Sequence, residues 1–317
     1  MGALAVQPRP SAELRWGMAA IYLLFLVTYL LTASPLHEVV VRRPVFLPVM
    51  AGVGFLAAGM LFQVTLGMTS ATRRLITLSV VPTLLLAVAL CVVLRARLAW
   101  PGLTASLPAV GMGFRVAIMV TIEESIKILP VVALLRFAVI DRAAPAMLAA
   151  ALSGLAFGMI EAIHHSFFIY GPMGSPLTTY LVRVFVMAPS HGIGAAVAIG
   201  LAFNLASRRA VRAAVGRARL EHRGGKRARA ELLPRWGELA LGFALAVALH
   251  AAHNGAQAIF GPAAQIPTVF LPLALLYGLA RSARREAGHE ASDDDMCDFL
   301  PSPIIITPPQ RIRADAA

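Results

Sequence analysis

Apolar residues fall in eight long blocks, about Trp16–Ser34, Val45–Thr69, Ile76–Leu94, Arg115–Phe137, Ala143–Tyr170, Leu177–Leu205, Leu239–Phe260 and Ile266–Ala280. A bilayer-spanning helix needs about 20 predominantly apolar residues. Runs this continuous lack the alternation of a membrane β-barrel strand. The pattern therefore predicts an all-α, polytopic transmembrane helix bundle of about eight spanning helices. The eighth block is the shortest and holds Pro267 and Pro272. The first is longer than the apolar core of a usual signal peptide and no small-residue cleavage site closes it, which predicts a retained signal-anchor helix.

Composition agrees. The 317 residues are 58% hydrophobic and 14% charged, against about 25% charged in soluble domains. So apolar a chain has too little interior to hide in as a soluble globule, and it is neither disordered nor collagen-like. Two cysteines, Cys91 and Cys297, lie in an apolar run and an acidic tail, which excludes a disulfide framework or a cysteine metal site.

The net charge is +12. With the N-terminus inside, 21 Lys/Arg fall on cytoplasmic segments and 6 on the outer ones. This predicts an N-in, C-in topology by the positive-inside rule, with no nucleic-acid partner. The basic loop 207–236 is then cytoplasmic. Its stretch Gly216–Glu231 reads as an ordinary positive-inside loop, with anionic headgroup binding as the sharper alternative. Three regions follow: an N-terminal three-helix membrane region (1–106), a catalytic membrane domain (107–286) carrying that loop, and a disordered tail (287–317) with Asp293–Asp295.

Ionisable residues inside the spans carry the chemistry, since a charge at the bilayer centre costs about 2.5–3.5 kcal/mol on the mildest scale. The fourth block reads VTIEESIKILP, so Lys127 can sit over Glu123 or Glu124. Adjacent carboxylates suit general acid–base work, and a structural ion pair is the equal alternative. The fifth block reads GLAFGMIEAIHHSFF: Gly154 and Gly158 form a small-residue packing face, and Glu161 shares its face with His165. His164 is expected only to pack. The sixth holds Arg183 and His191, with Gly192 and Gly194 inviting close approach of a backbone or a substrate. The seventh reads ALHAAHNG, placing His250 and Asn254 on one face and His253 elsewhere.

Each spacing alone is common; four consecutive spans with a carboxylate or imidazole at a similar depth are not. Counted from the outer ends, Glu123, Glu161, His191 and His250 lie about 12–15 Å deep. They form one layer, and with Glu124 they are expected to line one cavity.

On these residues the chain resembles the PrsW family of intramembrane proteases, in the clan of the CAAX prenyl endopeptidases and bacteriocin-processing proteins. The resemblance covers about Ile122 to Gly255. The E-E-x-x-K motif is Glu123, Glu124 and Lys127. Gly-x-x-F-G-x-x-E is Gly154, Phe157, Gly158 and Glu161. The Arg-then-His pair is Arg183 and His191, and H-x-x-x-N is His250 and Asn254. Ala162 stands where an Asn often follows the glutamate, and His253 where an aromatic often precedes the final Asn.

The resemblance implies hydrolysis of a peptide bond in a membrane-anchored protein substrate, within the lipid bilayer of a bacterial cytoplasmic membrane. Some relatives act as site-1 proteases on an anti-sigma factor in stress signalling. Two mechanisms fit the residue types. In one, Glu161, His191 and His250 hold a divalent metal, expected to be zinc, and Glu124 or Glu123 is the base. In the other, a glutamate activates water directly while His250 and Asn254 donate to the oxyanion. Lys127 and Arg183 support. Glu124→Gln is then expected to abolish cleavage with melting nearly unchanged. A proton-coupled transporter or channel is the rival from another class, although no internal repeat or paired broken helix is visible.

Overall fold

A computed structural model describes residues 46–68, 73–98, 109–165, 183–217, 233–260 and 265–298. Among the described residues the chain is all-helical, with seven α-helices and no strand. They are α1 (Phe46–Thr65), α2 (Arg73–Leu98), α3 (Ala109–Arg136), α4 (Ala143–His165), α5 (Ala188–Arg217), α6 (Trp236–Phe260) and α7 (Gln265–Asp298). A π-helical turn, Arg183–Met187, leads into α5. The first apolar block lies outside the described residues, as do half of the basic loop and the end of the tail.

Among the described residues, four stretches are long and apolar enough to cross a membrane: Leu75–Val92, Ala143–His165, Arg183–Ala213 and Trp236–Ala256. Helix α3 interrupts its apolar run with Glu123, Glu124 and Lys127 within five residues. Two boundaries differ from the sequence expectation. Helix α5 runs on to Arg217, into the segment read as loop, because SRRAVRAAVGR is rich in the strong helix formers Ala and Arg. Helix α7 continues to Asp298, past the boundary at residue 287 that polarity suggests.

Helix α4 is the axis of the bundle. Its spanning stretch is 83% buried, whereas that of α6 is 17% buried and mostly of intermediate exposure. Small residues make this possible: Ala146, Ala149, Ala150, Ala151, Ser153 and Gly154 let neighbours approach from several sides. Helices α1, α2 and α3 pack on α4, α5 lies along its length, and α6 and α7 pack on α5. The α4–α5 approach depends on glycine. A Cβ on Gly154 would collide with the His191 carbonyl, and one on Gly158 would meet the Ala188 backbone and the His191 ring. The expected small-residue face is thus real, and it fixes where His191 stands. Gly192 has the expected close approach, against the Ala151 carbonyl, while Gly194 has open space.

At the end of the bundle away from Glu161, the start of α6 is pinned. The Arg209 guanidinium grips Glu238 at 2.8 and 3.2 Å and donates to the Leu233 carbonyl at 3.0 Å. Glu238 also accepts from the Arg235 amide at 2.7 Å, capping the helix. Arg136 lies 4.0 Å over the Trp236 ring. These contacts tie α6 to α3 and α5, and so set the height at which His250 enters the bundle.

Candidate active site

Helix α3 brings in the first charged group. Lys127 is fully buried and Glu124 is 3% exposed, so each would be costly without the other. They pair at 2.6 Å, one turn apart. The main chain of α3 is held here from outside. Pro130 deprives the Ile126 carbonyl of its helical donor. At the adjacent carbonyl, Lys127, the Ser153 hydroxyl of α4 donates at 2.6 Å, and Thr83 of α2 lies 2.6 Å from Ser153. Sequence reasoning missed Ser153 and Thr83. Spanning-helix hydroxyls ordinarily bond their own helix, as Ser79 does to Leu75, so their sequence carries no sign of a cross-helix partner.

Helix α6 adds His250, whose Nδ1–H donates to Glu124 Oε1 at 2.7 Å. Its Nε2 faces Glu123 Oε2 at 3.5 Å. Helix α5 adds His191, with its ring edge-on to His250 at a centroid separation of 5.1 Å. His191 Nδ1 lies 2.7 Å from the Lys127 ammonium. An ammonium only donates, so Nδ1 accepts and the ring proton sits on Nε2. That Nε2–H donates to Glu161 Oε2 at 2.8 Å. Glu161 in turn faces Arg183 Nη1 at 3.2 Å and His165 Nε2 at 3.3 Å. Phe157 lies beneath, its ring 4.7 Å from Lys127 Nζ and 5.6 Å from His191.

Glu123, Glu124, Lys127, Glu161, Arg183, His191 and His250 therefore form one connected set drawn from α3, α4, α5 with its π turn, and α6. Asn254 is half-buried on the His250 face, and no hydrogen bond joins it to this set among the described residues. His253 points elsewhere, bonding Thr268 Oγ1 at 2.7 Å and contacting Met187 Sδ at 3.3 Å. His164 is buried, edge-on to His165.

The donor set suits a divalent metal. Glu124, His191 and His250 each offer a ligand atom within 4.8 Å of the others. One carboxylate with two imidazoles is a three-ligand set of the kind catalytic zinc uses, leaving a fourth position for substrate or water. Glu124 Oε2 is buried without a hydrogen-bond partner among the described residues, as an oxygen awaiting a cation would be. The Glu161–His191 bond adds the carboxylate that commonly orients a metal-binding histidine through its far nitrogen.

Comparison with curated proteins and with solved structures gives no significant match. A family model, PrsW family intramembrane metalloprotease, matches residues 71–279. That match reaches beyond the motif region Ile122–Gly255, taking in α2 and part of α7, which pack on the helices that carry the ionisable site groups. With every ionisable motif residue joined in one cluster, and most of the described bundle inside the match, the chain belongs to the PrsW family of intramembrane metalloproteases.

Proposed function

We propose that this chain cleaves a single-span membrane protein at a peptide bond on the outer side of the bilayer, with Glu124, His191 and His250 as the ligands of a zinc ion. The observation that carries the reading is the convergence of those three donors within 4.8 Å, on three different helices. It departs from the sequence expectation in two roles. Glu161 sits on the far nitrogen of His191 and reads as its orienting carboxylate. Glu124 is engaged by Lys127 and His250, which leaves Glu123 as the base.

The metal, when bound, polarises the scissile carbonyl and makes water acidic enough to attack at neutral pH. The side chains do the rest. Glu161 fixes the His191 tautomer, and Arg183 and His165 hold Glu161. Glu123, 15% exposed and beside His250, takes a proton from the attacking water and returns it to the leaving amine as the C–N bond breaks. Asn254, on the His250 face, donates to the oxygen on which negative charge develops. Glycine-limited packing of α4 on α5 keeps bulk water from the Lys127 side of the cluster.

Around this site we place the eight spans and the N-in, C-in topology that the charge distribution favours. An anti-sigma factor is a fitting substrate, since its single span presents a cleavable segment just outside the membrane. The test is cleavage of a single-span reporter by the purified chain, with zinc content measured on the same sample. Stoichiometric zinc and cleavage lost in Glu123→Gln are expected. Proton movement in liposomes with no cleavage would overturn the reading in favour of transport.

A further inference from the structure

The Lys127 ammonium occupies an unusual place. It lies 2.6 Å from Glu124 Oε1, 2.7 Å from His191 Nδ1 and 3.5 Å from His250 Nδ1. These are the same three residues whose donor atoms can hold a metal. We propose that Lys127 is a resident counter-cation of the metal position: in the metal-free chain it holds Glu124 and His191 directly, and His250 through Glu124 Oε1, and metal loading displaces it. The inference rests on the metal-site reading given above and deepens it.

Mutual exclusion follows from the lone pairs. An imidazole nitrogen has one lone pair in the ring plane. His191 Nδ1 spends it on the ammonium, so it cannot ligate a metal at the same time. Its other nitrogen carries the proton given to Glu161. Electrostatics points the same way, because two cations a few ångströms apart in a buried site repel strongly. The lysine has somewhere to go. Its stem is flexible, the Phe157 ring lies 4.7 Å from Nζ, and Glu123 and Glu161 flank the cluster through His250 and His191.

The arrangement also answers a folding problem. Three carboxylates and two imidazoles must come together inside an apolar bundle before any metal arrives. An internal cation lets the α3, α5 and α6 contacts form without leaving Glu124 unpaired, which would be strongly destabilising. The cost is a weaker hold on metal.

The test uses the full-length chain in detergent, stripped of metal with a chelator. Zinc affinity is measured by competition with a chromophoric chelator for wild type, Lys127→Met and Lys127→Gln. Melting is followed with and without zinc. Both variants should bind one zinc about tenfold tighter or more than wild type, a gain worth about 1.4 kcal/mol. They should melt lower than wild type in chelator and regain stability with zinc. The glutamine variant keeps a hydrogen-bond donor without charge, so it guards against a methionine variant that does not fold. Equal or weaker zinc binding in both variants overturns the proposal. So does failure of both to fold even with zinc, since the metal should replace the ammonium in holding the ligands. If neither wild type nor the variants bind zinc, the metal-site reading itself falls.

Discussion

Two halves of one polar cluster handle charge differently. Around Glu124, Lys127 and Glu124 are 0% and 4% exposed at the side chain, and the pair is completed by His250. Around Glu161, the groups are looser: Arg183, His165 and Glu161 are 16%, 24% and 20% exposed, with contacts of 3.2–3.3 Å. His191 joins the halves, Nδ1 to the first and Nε2 to the second. Burial decides what each half can do. A fully buried pair cannot lose a member cheaply, because the survivor is stranded in low dielectric. A part-exposed carboxylate held by one guanidinium and two imidazoles tolerates loss and so suits an orienting role.

The largest expected effect comes from breaking the buried half. Glu124→Gln strands Lys127, so it should lower stability by about 3–5 kcal/mol as well as abolish cleavage. Chemical denaturation of the variant beside wild type checks this. The outcome differs from the near-unchanged melting expected from sequence, because the sequence did not say that Lys127 is fully buried on that carboxylate. Removing a base without stranding a cation is the contrast. Glu123→Gln should reduce the cleavage rate by about 10²–10⁴ while leaving melting within about 0.5 kcal/mol of wild type, read from single-turnover kinetics and denaturation.

The looser half should respond through the metal. Glu161→Ala should weaken zinc binding by about 10–100-fold, measured by chelator competition, because His191 loses the acceptor that fixes its ring. Arg183→Met should cost least, about 1 kcal/mol or below in stability, since its pair with Glu161 is partly solvated and His165 and His191 still hold that carboxylate. If Arg183→Met proves as damaging as Glu124→Gln, the contrast between the halves is wrong.

An effect of similar size sharpens the support of the buried half. Thr83→Val is nearly isosteric and removes one hydroxyl from the Thr83–Ser153–Lys127 relay. A loss of about 1 kcal/mol in stability is expected, with Thr83→Ser restoring it, as thermal melting of the pair would show.

The amino-acid pattern alone dictates the helical bundle, the membrane class and most members of the polar cluster. Apolar blocks of spanning length leave no other fold, and ionisable residues within them must find each other. Glu123, Glu124, Lys127, Glu161, Arg183, His191 and His250 were all legible on that ground. Their pairing was not. A motif such as E-E-x-x-K states which groups share a turn, but not which glutamate Lys127 takes, nor that it also meets His191 across 64 positions of chain. The helix ends at Arg217 and Asp298 were equally hidden, because polarity signals exposure and not the absence of a helix. Tertiary structure decided these points through α4. Its small residues let α5 approach until the His191 carbonyl lies against Gly154, which brings the imidazole between Lys127 on one nitrogen and Glu161 on the other. Side-chain roles in such a site are set by distance and burial, and those arise only when the helices pack.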